Sequence, residues 1–115
     1  MIEKWISDIK QAARPEGLGM ILVHNGVVRA TSKEGRRVEG MKLSYDLAAL
    51  ERAVETYRAK DGIADIRVWI NEGTLTVGDD IMKVCVAGRF RTDILPVFQE
   101  LLTQIKTNIV REEEL

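Results

Sequence analysis

The sequence predicts a single α+β domain over residues 1–115, a mostly antiparallel sheet with three helices. Two observations carry this prediction. Apolar residues recur at helical spacing in three segments, and they alternate or cluster as strands in five others. The resulting order, α-β-β-α-β-β-β-α, places strands in neighbouring runs joined by short turns, which favours antiparallel pairing.

Each element has a local cause. Ile2, Trp5, Ile6 and Ile9 form one face of a short amphipathic helix, which Pro15-Glu16-Gly17 terminates. Gly19 to Ala30, GMILVHNGVVRA, is rich in branched apolar residues and reads as a buried strand, bent or bulged at Gly26. TSKEGRR is a polar loop. Met41, Leu43 and Tyr45 alternate with Lys42 and Ser44 in a second strand. Asp46 is placed to cap a helix whose stripe is Leu47, Leu50, Val54 and Tyr57, stopped at Asp61-Gly62. Ile66, Val68 and Ile70 mark a third strand. Glu72-Gly73 turns into TLTV, and Gly78-Asp79 turns into IMKVCVAGRF. Thr92 or Asp93 then caps a last helix with the stripe Ile94, Phe98, Leu101, Leu102, Ile105 and Ile109. Pro96 falls in its first turn, where the missing N–H is tolerated. An acidic run, Glu112 to Glu114, follows.

Composition narrows the function classes. Seventeen Lys and Arg balance eighteen acids, so bulk charge argues against nucleic-acid binding, though a local basic site is compatible with it. The lone cysteine, Cys85, has no disulfide partner and no metal-ligand spacing. No apolar run is long enough for a membrane span, and the N-terminus lacks signal-peptide character. The expectation is a cytoplasmic domain with no metal and no cofactor.

Few residues carry evident chemistry. His24, the only histidine, lies within an apolar strand and reads as a core or rim residue. Cys85, between Val84 and Val86, reads as a buried, inert thiol. Asp79-Asp80 reads as a turn rather than a metal site. Cations remain. Arg29 ends the first strand, and Arg89 and Arg91 end the last. Two residues apart on a strand, these two share a face, with Phe90 on the other. They also crowd the partly positive N-terminus of the last helix, so either they point into water or an anion belongs there. Lys106 lies one step off the apolar stripe of that helix. It is either a partly desolvated amine or a solvated, snorkelling side chain.

These motifs, in this order, resemble the large, catalytic subunit of molybdopterin synthase. The family's Gly-x-Val-Arg motif corresponds to Gly26-Val27-Val28-Arg29. Its Leu-x-Tyr strand corresponds to Leu43-Ser44-Tyr45, and its two glycine turns to Gly73 and Gly78-Asp79. Its His-Arg before the long helix corresponds to Phe90-Arg91, and its Leu-Lys-Thr-like segment to Ile105-Lys106-Thr107. The match runs from about Gly19 to Thr107.

The resemblance implies an α/β-hammerhead fold and a homodimer. It implies a partner, the small ubiquitin-like sulfur-carrier subunit, whose Gly-Gly tail ends in a thiocarboxylate. It implies transfer of two sulfurs to cyclic pyranopterin monophosphate, an anionic substrate, to make molybdopterin. By position, Arg29 and Arg91 match anion-binding arginines, with Arg89 an additional cation beside them, and Lys106 matches a catalytic lysine.

Two departures stand out. Phe90 replaces the family's histidine. After Lys106-Thr107 the family carries a Pro-Phe-Trp-Lys-like run with a second catalytic lysine. Here the residues are NIVREEEL, and Arg111 is the nearest stand-in after a two-residue deletion. Arginine stays protonated and cannot serve as a base. The sequence therefore also admits a relative that keeps the fold and carrier or anion binding without turnover.

Overall fold

The computed structural model describes all 115 residues. The elements are α1 (Ile2–Ala12), β1 (Met20–Val27), β2 (Gly40–Tyr45), α2 (Leu47–Arg58), β3 (Ile63–Ile70), β4 (Gly73–Thr76), β5 (Asp80–Gly88), α3 (Arg91–Gln104) and β6 (Val110–Glu114). A 3₁₀ turn at Pro15–Gly17 follows α1, and a π-helical turn at Ile105–Ile109 links α3 to β6. The architecture is α+β, as the sequence predicts. Two three-stranded antiparallel sheets, ordered β1-β5-β3 and β4-β2-β6, sit in a molecule 47 Å long and 25 × 23 Å across.

The central strand explains the layering. β5 pairs with β1 on one side and β3 on the other, so its alternate side chains enter two different cores. Met82, Val84 and Val86 face the main core with Leu50, Ile94, Val97 and Leu101 from α2 and α3. Cys85 and Ala87 face α1, packing with Ile9 and with the half-buried Trp5 and Ile21. A strand covered on both faces needs apolar residues at nearly every position, and VCVA at 84–87 supplies them. The bulge expected at Gly26 is present, as the β1–β5 register slips between Gly26 and Val27.

In the second sheet, Met41 and Leu43 enter the main core while Lys42 and Ser44 point outward. Asp46 caps α2 as predicted, its Oδ1 accepting from the Ala49 amide at 3.0 Å. Gly62 follows α2 at a φ of 82°, a conformation that carries little penalty without a Cβ.

The structure corrects the sequence reading at the start of α3. Arg91 does not end the last strand: β5 stops at Gly88, and Arg91 is the first residue of the helix. The strand ends there because its partners do, Met20 of β1 and Ile63 of β3 both lying opposite Gly88. Arg89 and Arg91 therefore do not share a strand face. Neither Thr92 nor Asp93 caps α3. Phe90 holds the cap position without a side-chain bond, and Asp93 is turned instead to Arg89, accepting from its Nε at 3.3 Å.

A second finding lies past α3. The apolar stripe continues into the π-helical turn, whose Ile105 and Ile109 are both buried. The acidic run that follows is an ordered strand, β6, pairing with β2 from Met41–Glu114 to Tyr45–Val110. Strand alternation, invisible in a run of glutamates, decides where each of its carboxylates points.

Candidate functional site

The π-helical turn, the residues after β1, and β6 converge around a cavity of about 500 Å³. Arg29 and Lys106 both line it. Arg29 follows the bulged end of β1, and its Nε donates to the Thr31 carbonyl at 2.7 Å. That bond uses one of five guanidinium donors. Lys106 stands in the π-helical turn between buried Ile105 and Ile109. A widened turn of this kind alters which residues face outward, and such turns recur at functional sites. Lys106 is exposed rather than partly desolvated.

The remaining predicted cations lie elsewhere. Arg89 is engaged by Asp93 and by Asp61, at 3.3 and 3.4 Å, and its guanidinium lies 5.1 Å from the centre of the Phe90 ring. The hydrogen bond to Asp93, with the charges of Asp93 and Asp61, holds Arg89 still more firmly protonated. Asp93 in the first turn also suits the helix macrodipole. So the crowding of cations at the start of α3 is resolved within the chain for Arg89. Arg91 is exposed, and neither it nor Arg89 lines the cavity of Lys106. Phe90, 59% exposed, fills no core position. Arg111 lies on the outward face of β6, opposite Ser44, and lines two neighbouring clefts of about 420 and 500 Å³.

Four further charged residues of this cavity escaped the sequence reading: Lys33, Glu34, Glu112 and Glu114. Lys33 and Glu34 were hidden in a loop whose course no periodicity reveals. Glu112 and Glu114 required knowing that residues 110–114 form a strand.

Other candidates are accounted for structurally. Asp79 accepts from the Thr76 amide and hydroxyl at 2.9 and 3.1 Å, closing the turn before β5. Asp80 accepts from Asn25 at 2.9 Å and meets Lys83 at 3.5 Å. His24 is half-buried on β1, opposite Val84. The largest cleft, about 870 Å³, runs between α2 and β3 and contains none of the predicted site residues. There Arg58 donates to the Ile66 carbonyl at 2.7 Å, blocking part of the free edge of β3.

Cys85 is fully buried. Burial pushes its thiol up, with Asp65 adding to the effect and Arg67 opposing it. Native protein should therefore resist alkylation by iodoacetamide, with labelling only on unfolding, as mass spectrometry would read. Because the folded value is raised, the unfolded chain releases this proton first as pH rises. The thiol's contribution to stability is thus present below its ordinary value of 9.0 and declines above it.

A family model, the MoaE protein, matches residues 3–108. The chain belongs to the MoaE family. Over 92 residues it is 30% identical to an uncharacterized protein of Methanocaldococcus jannaschii, covering 76% of this chain and 77% of that one. Its fold is similar to that of molybdopterin synthase from Staphylococcus aureus, with a TM-score of 0.79 and 16% identity, covering 100% of this chain and 84% of that chain. It is also similar to molybdopterin cofactor biosynthesis protein E from Burkholderia multivorans, with a TM-score of 0.76 and 22% identity, over 99% and 80% of the two chains. A third match is to a chain in the complex of subunits 1 and 2 of molybdopterin-converting factor from Helicobacter pylori. Its TM-score is 0.73 at 16% identity, over 99% and 77%. Membership of the MoaE family supports a role in molybdenum cofactor biosynthesis.

Proposed function

We propose that this MoaE-family chain is the large subunit of a molybdopterin synthase, transferring sulfur from a thiocarboxylated carrier tail to cyclic pyranopterin monophosphate. The observation that carries this reading is the convergence of Arg29 and Lys106 on one cavity from opposite ends of the sequence. Both the pterin phosphate and the thiocarboxylate are anions, and two cations on one cavity lower the energy of holding them together. Arg29, with only Nε engaged by the chain, presents its remaining donors to an oxyanion. Lys106 is placed to stabilise charge that develops as the sulfur is transferred, or to move a proton there.

The proposed assembly is a homodimer carrying the small ubiquitin-like partner; the complex of subunits 1 and 2 described for the Helicobacter pylori relative supports the partner. In such a dimer, Arg91, exposed and outside the cavity of its own chain, is available to the second copy. The test is single-turnover sulfur transfer: purified chain, a carrier bearing the C-terminal thiocarboxylate, and the cyclic pterin phosphate. Formation of the dithiolene product supports the reading. Folded protein that binds the carrier tail yet forms no product would instead favour a catalytically degenerate relative. Phe90 in place of histidine, and Arg111 on the far face of β6, are the observations that favour this second reading.

A further inference from the structure

β6 carries charge on its inward face. Residues directly opposite in an antiparallel pair share a face, and Glu112 lies opposite Leu43, Glu114 opposite Met41. Leu43 and Met41 are both buried in the main core. The two carboxylates therefore stand on the core side of the sheet, beyond buried Val110, and they emerge into the cavity of Arg29, Lys33 and Lys106, which Glu34 also lines. A site built for phosphate alone has no use for them, because each carboxylate lowers its affinity for any anion. Neither glutamate forms an ion pair there; the chain's salt bridges all lie elsewhere. Cationic donors and anionic acceptors thus remain open to the same space.

Such a lining fits a ligand with an anionic group at one end and N–H donors at the other. A 2-aminopyrimidin-4-one ring has two parallel donors, the ring N3–H and the 2-amino group, spaced to match the two oxygens of one carboxylate. We infer that Glu112 reads this donor edge of the pterin, while Arg29, Lys33 and Lys106 hold its phosphate. The inference rests on the substrate reading proposed above, and assigns Glu112 as the residue that separates a pterin phosphate from other phosphate esters. Glu112 is the first inward-facing charge after the turn that carries Lys106.

The test compares two probes on the full chain: an oxidised, fluorescent pterin monophosphate, and glycerol phosphate, which has no ring. Glu112→Gln keeps the shape but turns one acceptor into a donor. It should weaken pterin monophosphate binding roughly tenfold, as expected for loss of a charge-assisted pair. Binding of glycerol phosphate should be unchanged or tighter. Residue 112 is exposed, so the fold should persist, as circular dichroism would verify. If Glu112→Gln tightens both probes by the same factor, or alters neither, the assignment is overturned and the phosphate cavity stands. If wild-type protein binds neither probe, the substrate reading fails, and this assignment with it.

Discussion

Lys106→Ala should slow sulfur transfer by about 10²–10³-fold, the loss typical of removing one group that stabilises transition-state charge. Lys106 is exposed, and the buried contacts of its turn are made by Ile105 and Ile109. The variant should therefore melt with the parent, and the effect should fall on the rate rather than on the fold. Single-turnover kinetics with a thiocarboxylated carrier read it directly. Lys106→Arg separates two roles. Arginine keeps the charge but does not release a proton, so substantial retained activity assigns Lys106 to electrostatic stabilisation. A loss as deep as that of alanine assigns it to proton transfer or to a geometry that only lysine meets. Arg111→Ala is the internal control, because Arg111 lies outside the cavity, and its effect should stay below about threefold. A Lys106→Ala variant within threefold of wild type would remove this residue from the mechanism.

Gly88→Ala should destabilise the protein by about 3 kcal/mol, the upper part of the range for forced overpacking. Gly88 closes β5 where three segments meet. Its carbonyl accepts from the Gly19 amide at 2.7 Å, and the next amide, Arg89, donates to the Gly62 carbonyl at 2.8 Å. A methyl on Gly88 would strike the Gly62 carbonyl oxygen and stand 2.9 Å from Ile94 Cγ1. Backbone on one side and a fully buried isoleucine on the other leave little room to yield. For a domain of this size the melting temperature should fall by roughly 10–15 °C. Gly17→Ala is the matched control: nothing lies within 4 Å of the added methyl, so its effect should stay within about 0.5 kcal/mol. Equal melting temperatures for the two variants would show that the junction relaxes. Because α3 starts here, the same substitution should also disturb the anchoring of Arg89 by Asp93.

The main elements were legible because their causes are local. The stripe of Leu47, Leu50, Val54 and Tyr57 and the cap at Asp46 specify α2 without reference to anything distant. The alternation at 41–45 specifies β2 and the face it buries. Cys85 was readable as buried from its apolar neighbours. Errors began where a boundary depended on a partner. Arg91 fell into α3 because β1 and β3 run out opposite Gly88, a fact about pairing rather than propensity.

The site divided in the same way. By itself the sequence determined the α+β class, the order of its elements as far as α3 and, through short motifs in a fixed order, the family. It also marked Arg29 and Lys106, though nothing in their own segments says that they meet. Only the tertiary structure placed those two on one cavity, sent Arg89 to Asp61 and Asp93, and put Arg111 outside. It alone turned an acidic run into a strand with Glu112 and Glu114 on the face that lines the cavity. The physical reason is range. Propensity, capping and periodicity act over a turn or two of chain. Which charges share a cavity depends on strand register and on the phase of the turn at 105–109, which long-range packing sets.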